Sequence, residues 1–262
     1  MNFFLVKSYF RYLLKSRGFK GHGVHSPFVF ELITEVLYDK HPFYAFRQID
    51  DYRNKLLKSK DTIDVSDFGA GSHVMKSSRR KVSDIYKNSA IRKKYGEILF
   101  RLINRYRSKT IVELGTSLGV STLYLALPGR SNRVNTIEGC PETAGVAAEI
   151  FGELKLENVT SFTGRFYDVL PGVLGKIETL DFLFIDGHHE YGSTMDYFRM
   201  CKEKRGNDSI FVFDDIHWSE GMESAWEEIC NDPDVTISVD LFQLGLVFFR
   251  KECRKQHFDV MM

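Results

Sequence analysis

The chain has 262 residues, 43% of them hydrophobic and 27% charged, with a formal net charge of +1. That length and apolar content can bury one large core or a core with an appendage, and the balanced charge selects neither nucleic acid nor a membrane as partner of the whole molecule. The charge is uneven, however: residues 1–108 carry 22 Lys and Arg against 10 Asp and Glu, and residues 109–262 carry 14 against 25. The two halves therefore either offer a basic surface or pack by charge complementarity.

The N-terminal "MNFFLVKSYFRYLLK" places Phe3, Val6, Phe10 and Leu13/Leu14 at helical spacing, interrupted by Lys7, Arg11 and Lys15. The interruptions exclude a signal-peptide core or a membrane span and predict an amphipathic helix docked on its own domain, with membrane-surface contact left open. In "HSPFVFELITEVLY" Ser26 is an N-cap candidate and Pro27 suits the first helical position, so a helix to about Tyr38 is expected. His22 and His25 are three apart but offer only two nitrogens, which favours hydrogen bonding at the helix entry over metal binding. Another helix is expected around 47–60, residues 61–88 lose periodicity, and "SAIRKKYGEILFRLINRYRS" regains it from Ser89.

After Lys109, short apolar runs alternate with helical stretches: "TIVELG" (110–115), "RVNTIEG" (133–139), "VTSFTG" (159–164), "LDFLFIDG" (180–187) and "SIFVFDDI" (209–216). Their spacing suits βαβ crossovers, and continuous apolar runs suit strands covered on both faces. "VTISVDLFQL" and "GLVFFRK" are joined too tightly for a crossover and read as an antiparallel hairpin. The expected fold is α/β: a doubly wound, mostly parallel seven-stranded sheet with a terminal hairpin over residues 89–262, preceded by a helical N-terminal region over 1–88 that could cover an acceptor site.

Two glycine-rich turns compete for a cofactor, "DFGAGSH" (67–73) and "VELGTSLGVST" (112–122). Binding by backbone N–H groups needs a buried strand leading into the turn and a helix leaving it, and only the second turn has both. Glu138, nineteen residues after Gly119 and closing "VNTIEG", sits where a carboxylate takes ribose hydroxyls from the end of the second strand. The pattern is Glu-x-Gly-x-x-x-Gly, which weakens a pyrophosphate-binding, NAD-linked oxidoreductase reading. "DFGAGSH", followed by Lys76, Arg79, Arg80 and Lys81, reads as a mobile loop that folds over the acceptor pocket or, equally, as a linker.

"IVELGTSLGVSTLYLA", "NTIEG", "LDFLFIDGHHEY" and "FVFDDIHW", in this order and before a hairpin, resemble a class I S-adenosylmethionine-dependent methyltransferase of the catechol-type O-methyltransferase branch. The resemblance covers about residues 90–251. It implies that Glu113, Gly115, Thr116, Ser117 and Gly119 line the methionine and ribose of S-adenosylmethionine, that Ser121 bonds its carboxylate, and that Glu138 holds the ribose. After Gly164, Phe166 and Tyr167 match the adenine-contacting stretch, although Arg165 there is unusual. It also implies a small-molecule acceptor and leaves a homodimer open; a nucleic-acid acceptor and a non-catalytic cofactor-binding module are the alternatives.

Asp186, Asp214 and Asp215 end two successive strands, and converging carboxylates need a cation or hydrogen-bond donors among them. Oxygen ligands suit Mg²⁺ or another hard divalent cation. The resemblance places such a metal here, although the branch has Asp-Asn where this chain has Asp214-Asp215; holding an acceptor amine, or capping the next turn, are the other readings. Asp186 is a cofactor and catalytic candidate as well. His189, three residues on, stands where the branch has a lysine and could serve as base; His188 and His217 are weaker candidates. Trp218, Phe213 and Tyr191 could wall an aromatic acceptor, with sheet packing the alternative for Phe213. Cys140, Cys201, Cys230 and Cys253 form no Cys-x-x-Cys pair, so a reducing, cytoplasmic compartment is expected.

Overall fold

A computed structural model describes residues 3–16, 23–66 and 78–262. His22 and the "DFGAGSH" loop lie outside the described residues. By compactness the chain divides into two units, Met1–Lys40 with Thr179–Met262, and His41–Glu178. The helical segment ahead of residue 89 is therefore shared between them.

In the first unit, α1 (Phe3–Lys15) is followed by α2 (Pro27–Leu32), which continues as a π-helical turn over Ile33–Leu37. Ser26 caps α2 by accepting the Val29 N–H at 3.4 Å, and Pro27 starts it, as its missing N–H allows. Helix α1 docks on its own unit, but not by the expected apolar face. Ser8 and Tyr12 are buried, whereas Phe10 and Leu14 are 62% and 88% exposed. Tyr12 donates its hydroxyl to the Val260 carbonyl and, with Tyr9, packs on the Phe242 ring.

The second unit opens with α3 (Tyr44–Lys58) and a ribbon of β1 (Thr62–Asp64) and β2 (Arg79–Lys81), followed by α4 (Val82–Ser89) and α5 (Lys93–Tyr106). The ribbon and α4 occupy the stretch in which the sequence shows no periodicity. "TID" and "RRK" are mostly exposed and held by backbone pairing, so no apolar alternation marks them. Then come β3 (Thr110–Leu114), α6 (Val120–Ala126), β4 (Arg133–Glu138), α7 (Pro141–Glu153), β5 (Val159–Thr163) and α8 (Phe166–Leu174), with β4 parallel to β3 and to β5. Gly96 of α5 lets α6 approach closely: a Cβ there would stand 2.3 Å from Cε2 of Tyr124.

The chain re-enters the first unit with β6 (Leu180–Ile185), α9 (Tyr191–Lys202), β7 (Arg205–Asp214), α10 (Glu220–Asn231), β8 (Ile237–Asp240), β9 (Leu244–Phe248) and β10 (Gln256–Asp259). Strand order is β10-β8-β9-β7-β6, and β9 alone runs antiparallel to its neighbours. The expected terminal hairpin is β8–β9. Together the units hold the eight strands of a mostly parallel α/β sheet, one more than expected. The addition is β10, a four-residue edge strand parallel to β8, whose "QHFD" is half exposed and too polar to announce itself.

Candidate active site

In the second unit, Leu114 pairs with Ile137, so the chain leaves β3 beside Glu138 at the end of β4. The turn that follows bends through Gly115 at φ 107°, Ser117 at φ 46° and Gly119 at φ 79° before α6 begins. A Cβ on Gly119 would also stand 3.0 Å from the Phe151 ring and 3.1 Å from the Ala147 Cβ, so both backbone conformation and space favour glycine there. The turn is closed by Gly115 N–H on the Ile137 carbonyl at 3.0 Å and Gly119 N–H on the Thr116 carbonyl at 2.8 Å.

Glu138 is fixed by two backbone donors: Ser117 N–H to Oε2 at 2.7 Å and Cys140 N–H to Oε1 at 2.9 Å. Burial pushes its carboxyl above the usual range, opposed by these N–H groups. Glu113 is fully buried and accepts the hydroxyls of Thr122 and Thr136, each at 2.6 Å, with Thr116 Oγ1 2.5 Å from Thr136 Oγ1. Its carboxylate thus ties β3, β4 and α6 together beneath the turn. Ser121 is buried in the first turn of α6.

Gly164 takes φ 150° and donates its N–H to the Glu138 carbonyl at 2.8 Å. Of the two aromatic candidates after it, Phe166 is buried and Tyr167 is 47% exposed. Residues the sequence did not single out complete the cradle. Tyr52 of α3 donates to the Leu118 carbonyl at 2.7 Å, and Thr136 and Thr122 hold Glu113. A threonine inside the apolar β4 run is a readable signal; the Tyr52 contact, 66 residues distant, is not.

In the first unit, Ile185 pairs with Phe213, which sets Asp186 and Asp214 side by side at the ends of β6 and β7. Asp214 is 6% exposed, and its Oδ1 meets no hydrogen-bond partner. Burial above all, then the charges of Asp186 and Asp215, raise its carboxyl well above the usual range, and it shares a hydrogen bond with Asp186. Two carboxyls bonded in this way need a proton between them. Among the described residues no group of three or more His, Cys, Asp and Glu side chains is arranged to hold a metal ion. The divalent site expected at Asp186, Asp214 and Asp215 is therefore not shown. Nor does either aspartate of the pair cap α10; Ser219 does, accepting the Met222 N–H at 3.2 Å.

His189 Nε2 lies 3.5 Å from Asp186 Oδ1, on a turn where His188 (φ 64°) and His189 (φ 36°) are both left-handed. Burial disfavours the imidazolium, but the Asp186 hydrogen bond and the charges of Asp186 and Asp215 outweigh it and raise the pKa. His188 Nδ1 is 2.6 Å from the Tyr197 hydroxyl and its ring stacks on that side chain. His217 bridges Glu223 at 2.9 Å and Asp240 at 2.7 Å. Phe213 is buried against Phe198, which makes it a packing residue of the sheet, whereas Tyr191 and Trp218 are 41% and 37% exposed.

Residues 112–216 match the family model of a methyltransferase domain. No curated protein sequence matches the chain. Among solved structures, the O-methyltransferase TomG from Streptomyces achromogenes, involved in tomaymycin synthesis and in complex with SAM, is similar at 18% identity; the match covers 80% of this chain and 91% of that one, with a TM-score of 0.57. An O-methyltransferase from Bacillus cereus in complex with SAH shares 18% identity over 84% of this chain and 96% of the other, with a TM-score of 0.56. The SAH-bound Podospora anserina methyltransferase PaMTH1 shares 12% identity over 80% and 89%, with a TM-score of 0.59. At these identities the likeness is one of fold, the Rossmann-like methyltransferase fold. With the matched domain, it bears out the class I methyltransferase resemblance read from the sequence.

Proposed function

We propose that the chain is an S-adenosylmethionine-dependent methyltransferase that methylates a hydroxyl group of a small or medium-sized acceptor. The observation that carries this reading is the Glu138 carboxylate, fixed by the Ser117 and Cys140 N–H groups beside the Gly115–Gly119 turn, inside a matched methyltransferase domain. A pre-oriented carboxylate at a strand end suits two vicinal hydroxyls, as a ribose presents. The turn's room depends on Gly119, where a Cβ would be crowded against Phe151. Glu113 acts beneath as a positioning residue through Thr122 and Thr136. Gly115, Thr116, Ser117 and Ser121 would bound the methionine end, and Gly164 with Tyr167 the adenine end.

Bound S-adenosylmethionine supplies an electrophilic methyl group on a sulfonium. His189, in its neutral form, would take the proton of the acceptor hydroxyl, and Asp186 would orient the ring and stabilise the imidazolium that results. The surrounding carboxylates raise the His189 pKa, so the basic form is favoured at higher pH than in an ordinary histidine. Free thiols at all four cysteines suit a reducing, cytoplasmic setting.

Calorimetric titration with S-adenosylhomocysteine, with and without chelator, tests the reading, followed by transfer of labelled methyl from S-adenosylmethionine to a panel of phenolic and catecholic acceptors. Binding that survives chelation is expected. Stabilisation by a nicotinamide dinucleotide in its place would move the assignment to an oxidoreductase.

A further inference from the structure

Helix α1 turns its apolar face away from the unit that holds it. On a helical projection Ser8 and Tyr12, both buried, define the packed side, and Tyr12 is pinned to Val260 and Phe242. The opposite side carries Phe10 and Leu14, 62% and 88% exposed, with half-buried Val6 and Leu13 next to them. Exposed Lys7, Arg11 and Lys15 run along one side of this stripe, and Arg11 reaches Glu223 at 3.2 Å. The first thirty residues contain Lys7, Arg11, Lys15, Arg17 and Lys20 and no Asp or Glu.

We propose that α1 is a membrane-surface anchor whose Val6, Phe10, Leu13 and Leu14 face enters the interface of a bilayer carrying anionic lipids, with Lys7 and Lys15 against the headgroups. No helix among the described residues is long and apolar enough to cross a membrane, so the contact is made at the surface. An aromatic and an aliphatic side chain exposed beside lysines, on a segment that itself carries no Asp or Glu, is the composition of an interfacial helix. Charge decides the occupant. A second copy would bring the same basic segment to the contact, which repulsion opposes, whereas an anionic headgroup layer complements it. A nucleic acid would satisfy the lysines but leave Leu14, which has neither charge nor ring, in water. This inference is independent of the catalytic reading, since none of these residues belongs to the cofactor turn or the strand-end carboxylates.

The test is sedimentation of the full chain with phosphatidylcholine vesicles and with vesicles containing phosphatidylglycerol. Binding to the anionic vesicles is expected, weakened at high salt. It should fall about tenfold or more in Phe10→Gln/Leu14→Gln and to the phosphatidylcholine level in Lys7→Glu/Lys15→Glu. Both variants change exposed positions and should keep the wild-type circular dichroism spectrum. A single Phe10→Trp variant provides a second reading: its fluorescence should be quenched by brominated lipid. Failure of wild type to bind anionic vesicles, or undiminished binding by Phe10→Gln/Leu14→Gln, would overturn the proposal. So would retention on an RNA oligonucleotide without vesicle binding, or a dimer that the Phe10/Leu14 changes dissolve without vesicle binding.

Discussion

The backbone N–H of Ser117 donates to Oε2 of Glu138 across 2.7 Å, so the residue that closes β4 is held by the turn that closes β3. Ser117 presents that N–H because it sits in a left-handed conformation, φ 46°, between Gly115 and Gly119. In Glu138→Gln one oxygen becomes an NH₂, which cannot accept either the N–H of Ser117 or that of Cys140. The S-adenosylhomocysteine dissociation constant should rise about 10- to 100-fold, or roughly 1.4–2.8 kcal/mol, with the fold intact by circular dichroism. Unchanged affinity would remove Glu138 from the cofactor site.

Asp214 is a buried carboxyl whose pKa is raised first by desolvation and then by Asp186 and Asp215. The native state therefore keeps a proton that the unfolded chain releases near pH 3.9. The stability linked to that proton is complete below the unfolded value and is lost as pH rises through the raised native one. Asp214→Asn remains neutral throughout. It should match wild type in acid and exceed it by about 1–3 kcal/mol at pH 8 in chemical denaturation. A variant less stable than wild type at pH 8 would show that the Asp214 charge is compensated.

His217 is a half-buried imidazole between two carboxylates, stacked on Phe242 with ring centroids 5.1 Å apart. Burial lowers its pKa, but Asp240 and Glu223 outweigh that and the net shift is upward. Its contribution is present in full below the unfolded value of about 6.5 and disappears as pH rises through the higher native value. His217→Gln should cost about 3 kcal/mol at pH 6 and progressively less in alkaline solution. A pH-independent difference would mean the ring acts by packing alone.

Gly96 is the point at which α5 admits Tyr124 of α6. Tyr124 also accepts from Arg53 Nε at 3.3 Å, and burial pushes its hydroxyl up to about 12. Gly96→Ala gains helix propensity but drives a methyl into the ring. A net loss of about 1–3 kcal/mol in thermal or denaturant unfolding is expected. A stabilised variant would show that the ring moves aside without penalty.

Strands β3, β6 and β7 were legible because each carries a continuous apolar run whose burial the sequence states directly. Their carboxyl ends, with Gly115, Gly119, Asp186 and Asp214, followed from the same runs. Elements held by backbone pairing or contributing little core were hidden, as with the β1–β2 ribbon and β10. The packing side of α1 was hidden for a different reason: the periodicity of Phe10 and Leu14 marks an apolar face but not what that face meets. The strand-end carboxylates were located correctly in sequence. That Asp214 shares a hydrogen bond with Asp186 depends on burial, which spacing does not report.

The central claim is that the turn from Gly115 to Gly119 with Glu138 forms the cradle of a methyl-donor cofactor. Isothermal titration of the purified chain with S-adenosylhomocysteine, alongside Glu138→Gln, measures it directly. The account predicts one site per chain, unaffected by chelator and weakened about 10- to 100-fold in the variant. No heat of binding in the wild-type protein, with or without added Mg²⁺, would contradict it.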